Sequence, residues 1–317
     1  MKKILVLISL MISSAVLAQP MPRLSVGDTI AIAAPSGKVE EGQVLPAVQY
    51  LQSQGFNVVV PEEIWLEDNG FAGTTSQRAA LFQQLLDRPG IKAILCARGG
   101  YGAVSIIDSL DFSIFRRYPK WICGFSDITV FHSHLHVLGF PTLHSVMPVT
   151  IKEKSFDNEY NASMVGALRG EPLCYEFASS PYNRQGTVTA PVVGGNLSIL
   201  YSLLESASSI DTEGKILFIE DTDENIYHLH RMLMALDRAG KLSQLKALVV
   251  GCMSRIKIDD YFNGSSLESV ILEICGKYDY PVCFDFPAGH CGQNFALRLG
   301  CPATLKITPE QCSLEFE

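Results

Sequence analysis

The sequence predicts an α/β protein of two domains, on three observations. From Asp28 onward, short apolar runs rich in Val, Ile and Ala alternate with stretches of helical period, the pattern of a parallel sheet covered by helices. The chain has 317 residues, enough for two domains at roughly 100–200 residues each. The final runs ALRLG, ATLKI and CSLEFE are short, alternating and separated by turns, as antiparallel strands are.

The first eighteen residues, MKKILVLISLMISSAVLA, pass from two lysines through an apolar core to small residues, the pattern of a secretory signal peptide cleaved after Ala18. Their apolar run is far shorter than the roughly 20 residues that span a bilayer. Export, to the periplasm or beyond, is therefore the expectation, with the cytoplasm as the alternative and no stable membrane association after cleavage.

The first domain, residues 19–151, opens with the strand TIAIAAP, a helix over 43–54 that Gly55 stops, and the strand FNVVVP. A helix follows from Ser76 to Leu86. IKAILCARGGYG is a strand running into a glycine-rich turn, with helical residues to Phe115. WICGFSDITVFHSHLHVLG is a strand, a tight turn and a helix, and FPTLHSVMPV closes the domain.

Residues 152–186 read as a linker, with one helix from Asp157 to Leu168 followed by SSPYNRQG. The second domain, 187–317, begins with TVTAPVVGG and a helix from Asn196 to Leu204. The strand KILFIED leads to a helix from Asn225 to Ala239, whose Ile226, Leu229, Leu233 and Leu236 share one face. ALVVGC, a helix from Leu267 to Cys275 and PVCFDF precede the short final strands.

With 33 acidic and 25 basic residues the net charge is −8, and no basic block is present to neutralise phosphates, which excludes nucleic acid as a partner. Nine cysteines cannot all pair. Cys96, Cys123 and Cys252 lie in apolar runs as expected core thiols, while Cys275, Cys283, Cys291, Cys301 and Cys312 have room for one bridge. Paired CxxC spacing is missing, which argues against zinc. A homodimer is compatible with the sequence.

Ser126 stands where a strand meets a helix, with Gly124 two positions earlier, so it reads either as a nucleophile on a sharp turn or as a helix cap. The N–H of Asp127 opens onto the same space and is a candidate oxyanion donor. The RGGYG turn follows the neighbouring strand, so Gly99 and Gly100 are candidates for the second donor, Gly100 ahead of Gly99. Its spacing is not a dinucleotide fingerprint.

Among seven histidines, His132 and His136 are one helical turn apart without an acidic partner, and His228 and His230 point different ways. His290 sits in a glycine-flanked loop directly after a strand, a place for a general base. Glu220 ends the strand KILFIE and begins an acidic turn, slightly ahead of Asp221 as the carboxylate that orients the histidine. Arg98 and Arg238 are cationic candidates for recognising a substrate carboxylate, a surface ion pair being the alternative for each.

IAIAAPSG, RGGYGA, GFSDIT, GGNLS, FIED and PAGH followed by QN occur in an order that resembles the L,D-carboxypeptidase (muramoyltetrapeptide carboxypeptidase) family of serine peptidases over nearly the whole mature chain. The resemblance implies a Rossmann-like amino-terminal domain joined to a carboxy-terminal domain with barrel-like strands, the site lying between them. It also implies a triad of Ser126 as nucleophile, His290 as general base and Glu220 as orienting acid, with no metal or cofactor. The implied reaction removes the terminal D-alanine from a peptidoglycan tetrapeptide. A microcin C immunity-type peptidase and a catalytically silent muropeptide-binding protein are the alternatives.

Overall fold

The computed structural model describes residues 19–317, so the expected signal peptide lies outside the described residues. The first domain runs β1 (Thr29–Ala33), α1 (Glu41–Ser53), β2 (Asn57–Val59), α2 (Thr75–Leu86), β3 (Ile91–Cys96), β4 (Trp121–Gly124), α3 (Thr129–Val137) and β5 (Thr142–His144). Its strands pair in parallel in the order β2-β1-β3-β4-β5. This order brings the loops after β1, β3 and β4 together at the carboxyl edge of the sheet.

Both ends of α2 show how local chemistry sets a boundary. Thr74 Oγ1 accepts from Gln77 N–H at 3.3 Å, and the Gln77 side chain accepts from Thr74 N–H at 2.9 Å, a capping box. At the other end the fully buried Lys120 donates to the carbonyls of Leu85, Leu86 and Arg88 at 3.0, 2.7 and 2.7 Å. The last carbonyls of a helix have no i+4 donor, and the ammonium gathers those of Leu85 and Leu86 with that of Arg88 just beyond the helix.

Residues between Gly102 and Phe115 were expected to be helical, but they form short 3-10 turns at Ala103–Ser105 and Ile107–Ser109. The cause is local competition. Ser105 and Ser109 hydroxyls donate to the carbonyls of Gly102 and Ile106, each at 2.7 Å, and Asp111 accepts from Ser113 N–H at 2.8 Å. Such bonds draw the backbone away from a helical ladder.

The second domain continues with α4 (Glu159–Arg169), β6 (Leu173–Ala178), β7 (Gly186–Asn196), α5 (Leu197–Ser202), β8 (Ile216–Thr222), α6 (Ile226–Arg238), β9 (Ala247–Ser254), α7 (Leu267–Cys275), β10 (Val282–Cys283), β11 (Leu297–Leu299), β12 (Pro302–Ile307) and β13 (Gln311–Phe316). Its sheet has the order β10-β9-β8-β7-β12-β13-β6. β7 serves two geometries, pairing antiparallel with β12 over 186–191 and parallel with β8 over 192–196. A bridge between Arg184 and Val282 returns the β10 edge to the chain just before β7, which curls the sheet.

The expected linker is structured: β6 is the edge strand beside β13, and α4 contributes Met164, Val165 and Leu168 to the core. β11 leaves the second sheet altogether and pairs antiparallel with β5, as the sixth strand of the first sheet. The expected face of α6 is buried as read, with Ile226, Leu229, Leu233 and Leu236 at 1% exposure or less. Each such burial stabilises the fold by roughly 1.5–3 kcal/mol.

One apolar cluster runs through both domains, from Leu143 and Leu297 in the first sheet to Val192, Phe218 and Val249 in the second. At the seam Asn196 N–H donates to Thr129 Oγ1 at 2.9 Å, tying the end of β7 to the first residue of α3. The carboxyl edges of the two sheets therefore face a common space.

Candidate active site

Ser126 follows β4 and opens a 3-10 turn, Ser126–Ile128, that leads into α3. Its φ is +64°, a left-handed conformation that costs a residue other than glycine roughly 1–2 kcal/mol. The cap alternative fails on this geometry, because an N-cap has extended backbone and the extended position here is Phe125. The hydroxyl instead donates toward His290 Nε2, 3.0 Å away.

His290 lies in the loop between β10 and β11. Its Nδ1 is 2.6 Å from Glu220 Oε2, and its backbone N–H donates to the same oxygen at 3.2 Å. A carboxylate can only accept, so the ring carries its proton on Nδ1 and leaves Nε2 free to accept from Ser126. Glu220 is fully buried near the end of β8. The loop reaches it only because position 289 is glycine: φ is +121°, and a Cβ there would lie 2.8 Å from Glu220 Cβ and Oε2.

Burial works to lower the His290 pKa, but the hydrogen bond and charge of Glu220, with the charge of Asp221, hold it above the ordinary 6.5. Phe125 covers the imidazole, with ring centroids 4.9 Å apart. His132 and His144 are different. Burial drives them down to about 4 and about 3 respectively, so both are neutral at working pH.

Glu220 and Asp221, close rivals in sequence, part because successive strand residues face opposite sides. Asp221 Oδ1 accepts from Asn196 Nδ2 at 3.0 Å and Thr222 N–H at 2.8 Å, and its Oδ2 from Ser198 N–H at 2.9 Å. Burial and the neighbouring Glu220 push it up to about 6 despite those bonds. Asp221 thus fastens the start of α5 to β8.

The side chain of Asp127 has a use that its backbone candidacy did not suggest. Its Oδ2 accepts from Ser36 Oγ at 2.6 Å and from Ala103 N–H at 2.8 Å, joining the loops after β1, β3 and β4. Asp127 N–H, at the opening of a helical turn, has no intrahelical acceptor. Gly99 packs directly on the serine, since a Cβ there would be 2.9 Å from Ser126 Cβ and 3.4 Å from Asp127 N. Gly100 has Gly37 as its nearest neighbour, at 3.9 Å from an added Cβ. Gly37 N–H donates to the Gly99 carbonyl at 3.1 Å, so the trans peptide aims Gly100 N–H away from Gly37.

Among the described residues neither candidate cation is bonded to a triad residue. Arg98 is exposed and donates to the Lys38 carbonyl at 3.2 Å. Arg238 occupies the last turn of the thirteen-residue α6, about 18 Å along the axis from its start near the acidic turn. Arg255, not singled out from the sequence, stands closer to that turn, bonded to both carboxylate oxygens of Asp223 at 2.8 and 2.7 Å.

Sequence reading also missed the support on the far side of the His290 loop. Asn294 Oδ1 accepts from Gly289 N–H at 2.9 Å and from His144 Nε2–H at 2.8 Å. The QN run had flagged Asn294 as a marker without a role. A further correction concerns the cysteines: Cys252, expected as a core thiol, is bonded to Cys291, while Cys96, Cys123, Cys275, Cys283 and Cys312 are buried and free. Cys252 lies late in β9, where burial gives way to partial exposure and the His290 loop passes alongside.

Two stretches match known families: 30–145 the LD-carboxypeptidase N-terminal domain and 189–305 the LD-carboxypeptidase C-terminal domain. The chain is 30% identical over 298 residues to a probable murein peptide carboxypeptidase of Bacillus subtilis (strain 168), covering 92% of this chain and 93% of that one. It is 25% identical over 338 residues to the microcin C7 self-immunity protein of Escherichia coli, covering 95% and 96%. The crystal structure of muramoyltetrapeptide carboxypeptidase from Oxalobacter formigenes superposes with a TM-score of 0.81 at 27% identity, over 91% of this chain and 98% of that one. With both domain families matched in order and this two-sheet architecture shared, the chain belongs to the LD-carboxypeptidase family.

Proposed function

We propose that this carboxypeptidase is a serine L,D-peptidase that removes the terminal D-alanine from peptidoglycan tetrapeptides. One observation carries the reading: a serine held at φ +64° with its hydroxyl 3.0 Å from an imidazole that is itself 2.6 Å from a buried carboxylate. A left-handed serine is strained, and strain of this kind persists where function requires it.

His290 Nε2 takes the Ser126 proton as Oγ attacks the carbonyl carbon preceding D-alanine. The resulting oxyanion accepts from the N–H groups of Asp127 and Gly100. Imidazolium then protonates the departing amine, and the free D-alanine leaves. A water molecule, deprotonated by the same Nε2, attacks the acyl ester, and the imidazolium returns that proton to Ser126 Oγ as the ester C–O bond breaks. Glu220 keeps the ring in its Nδ1–H tautomer and stabilises the imidazolium.

Export of the mature chain is part of this proposal, supported by the composition of residues 1–18. Most of the free thiols suit such a location, since Cys96, Cys123, Cys275 and Cys283 are buried and each pKa is raised, by burial in the first three and by a hydrogen bond with Cys312 together with burial in Cys283. Buried, protonated thiols react slowly.

The test is incubation of the mature protein with a muramoyl tetrapeptide beside Ser126→Ala, following D-alanine by mass spectrometry. Release by the wild type alone supports the proposal. Saturable binding without release would replace it with a binding protein, and hydrolysis of an aminoacyl nucleotide instead would favour an activity of the immunity type.

A further inference from the structure

We propose that the Cys252–Cys291 disulfide is a reducible clamp that positions His290 against Ser126. The inference rests on the peptidase reading above and adds a positioning pair to it. Cys291 is the residue directly after the proposed general base, and Cys252 belongs to β9, paired with β8 and β10 inside the second sheet.

The loop approaches along β9, with Phe286 N–H donating to Val250 O at 3.1 Å and Cys252 N–H to Ala288 O at 2.8 Å. Gly289 and His290 are then held by Asn294 and Glu220. Immediately after His290 the support changes. Residues 291–293 are exposed, and a Cβ on Gly292 would meet open space. On that side the described link to the sheet is the bond from Cys291 Sγ to Cys252 Sγ, across a Cα–Cα distance of 6.0 Å. The bond closes a loop over 39 positions of sequence and fixes the peptide that leaves the imidazole.

The bridge is open to reagents, because Cys291 is exposed and Cys252 only partly buried. It is also the one disulfide among the described residues, the other seven cysteines being free. A dithiol such as dithiothreitol would transfer two electrons and two protons to the pair, leaving two thiols and becoming a cyclic disulfide itself. Glu220 would still hold the ring, and Asn294 the Gly289 peptide before it. The base would lose its covalent anchor to β9, and small displacements between base and nucleophile weaken catalysis more than binding. A milieu that keeps thiols reduced would slacken the site, and an oxidising one would set it.

The experiment compares oxidised protein, protein reduced with dithiothreitol, and the Cys252→Ser/Cys291→Ser variant. It measures kcat and KM for D-alanine release and hydrogen exchange of amides 288–295. We expect kcat to fall about tenfold on reduction with KM unchanged, recovery on reoxidation with oxidised glutathione, and a variant that matches the reduced form and ignores dithiothreitol. Exchange over 288–295 should quicken in the reduced form while the core of β9 stays protected. Equal kcat with equal exchange overturns the clamp, as does a change confined to KM. Should the oxidised protein release no alanine, the peptidase reading falls, and the exchange comparison still decides whether the bond orders the loop.

Discussion

Glu220 Oε2 accepts twice from His290, from ring Nδ1–H at 2.6 Å and from backbone N–H at 3.2 Å. One buried oxygen therefore fixes both the peptide and the imidazole of the same residue. Burial would depress the histidine pKa, and the carboxylate reverses the sign of the shift.

The pH profile should reflect this. Only unprotonated His290 can accept from Ser126, so kcat/KM should rise along an acid limb centred above 6.5. The same raised pKa contributes stability that is full below the unfolded value and is lost as pH rises through the folded one. Activity gained and stability lost thus share one window. A limb centred below the ordinary histidine value, measured as kcat/KM against pH, would contradict the assignment.

Glu220→Gln keeps the size of the side chain and removes its charge. We expect kcat to fall by about a hundredfold to ten-thousandfold, less than for Ser126→Ala, and the acid limb to move to lower pH. Steady-state kinetics across pH test both. An unmoved limb would mean that another group raises the His290 pKa.

Two substitutions at Ser126 separate chemistry from strain. Both Ser126→Ala and Ser126→Gly should lose turnover by roughly four to six orders of magnitude. Glycine tolerates φ +64°, so Ser126→Gly should be the more stable by about 1 kcal/mol, read from chemical denaturation. Equal stability would show that the turn relaxes without the hydroxyl.

Asp127→Ala would strand the Ser36 hydroxyl and the Ala103 N–H, each buried against Asp127 Oδ2. The expected cost is about 1–3 kcal/mol for each group left unpaired. The glycine turn should also loosen, lowering kcat. Ser36→Ala should be milder, and a double-mutant cycle in denaturant should find the two positions coupled.

Lys120→Met removes the donor to three carbonyls at the end of α2, far from the triad. We expect about 3 kcal/mol of destabilisation with kcat of the folded protein unchanged. Thermal unfolding beside kinetics at low temperature distinguishes this from a loss of catalysis.

Periodic segments were the legible part of the fold. α7 occupies Leu267–Cys275 as read, and α6 buries the face read from its leucines, because one dominant stripe leaves little choice of side. The strand-turn-helix around Ser126 was equally open to reading. What escaped depends on partners distant in sequence. Nothing in LRL signals that β11 would leave its neighbours for β5, and nothing in LCYEFA marks an edge strand whose partner, β13, lies over a hundred positions on. Within the site, Ser126 and Glu220 sit at strand ends and His290 in the glycine-flanked loop after β10, places where chemistry is expected, and the structure brings them together. Asn294 and Cys252 have meaning only through the loop they meet, so composition and spacing could not assign them.

The three residues of β11 have a consequence for how the protein is made. β5 carries the buried His144, and its outer edge is covered only when Leu297–Leu299 arrive, after nearly all of the chain has been synthesised. A strand edge left open invites pairing with another molecule. A truncated product ending before Leu297 would hold Ser126 on an otherwise complete sheet with a sticky border. Premature termination would therefore yield an aggregating by-product rather than a merely inactive one, and the half bearing the nucleophile cannot mature ahead of the half that activates it.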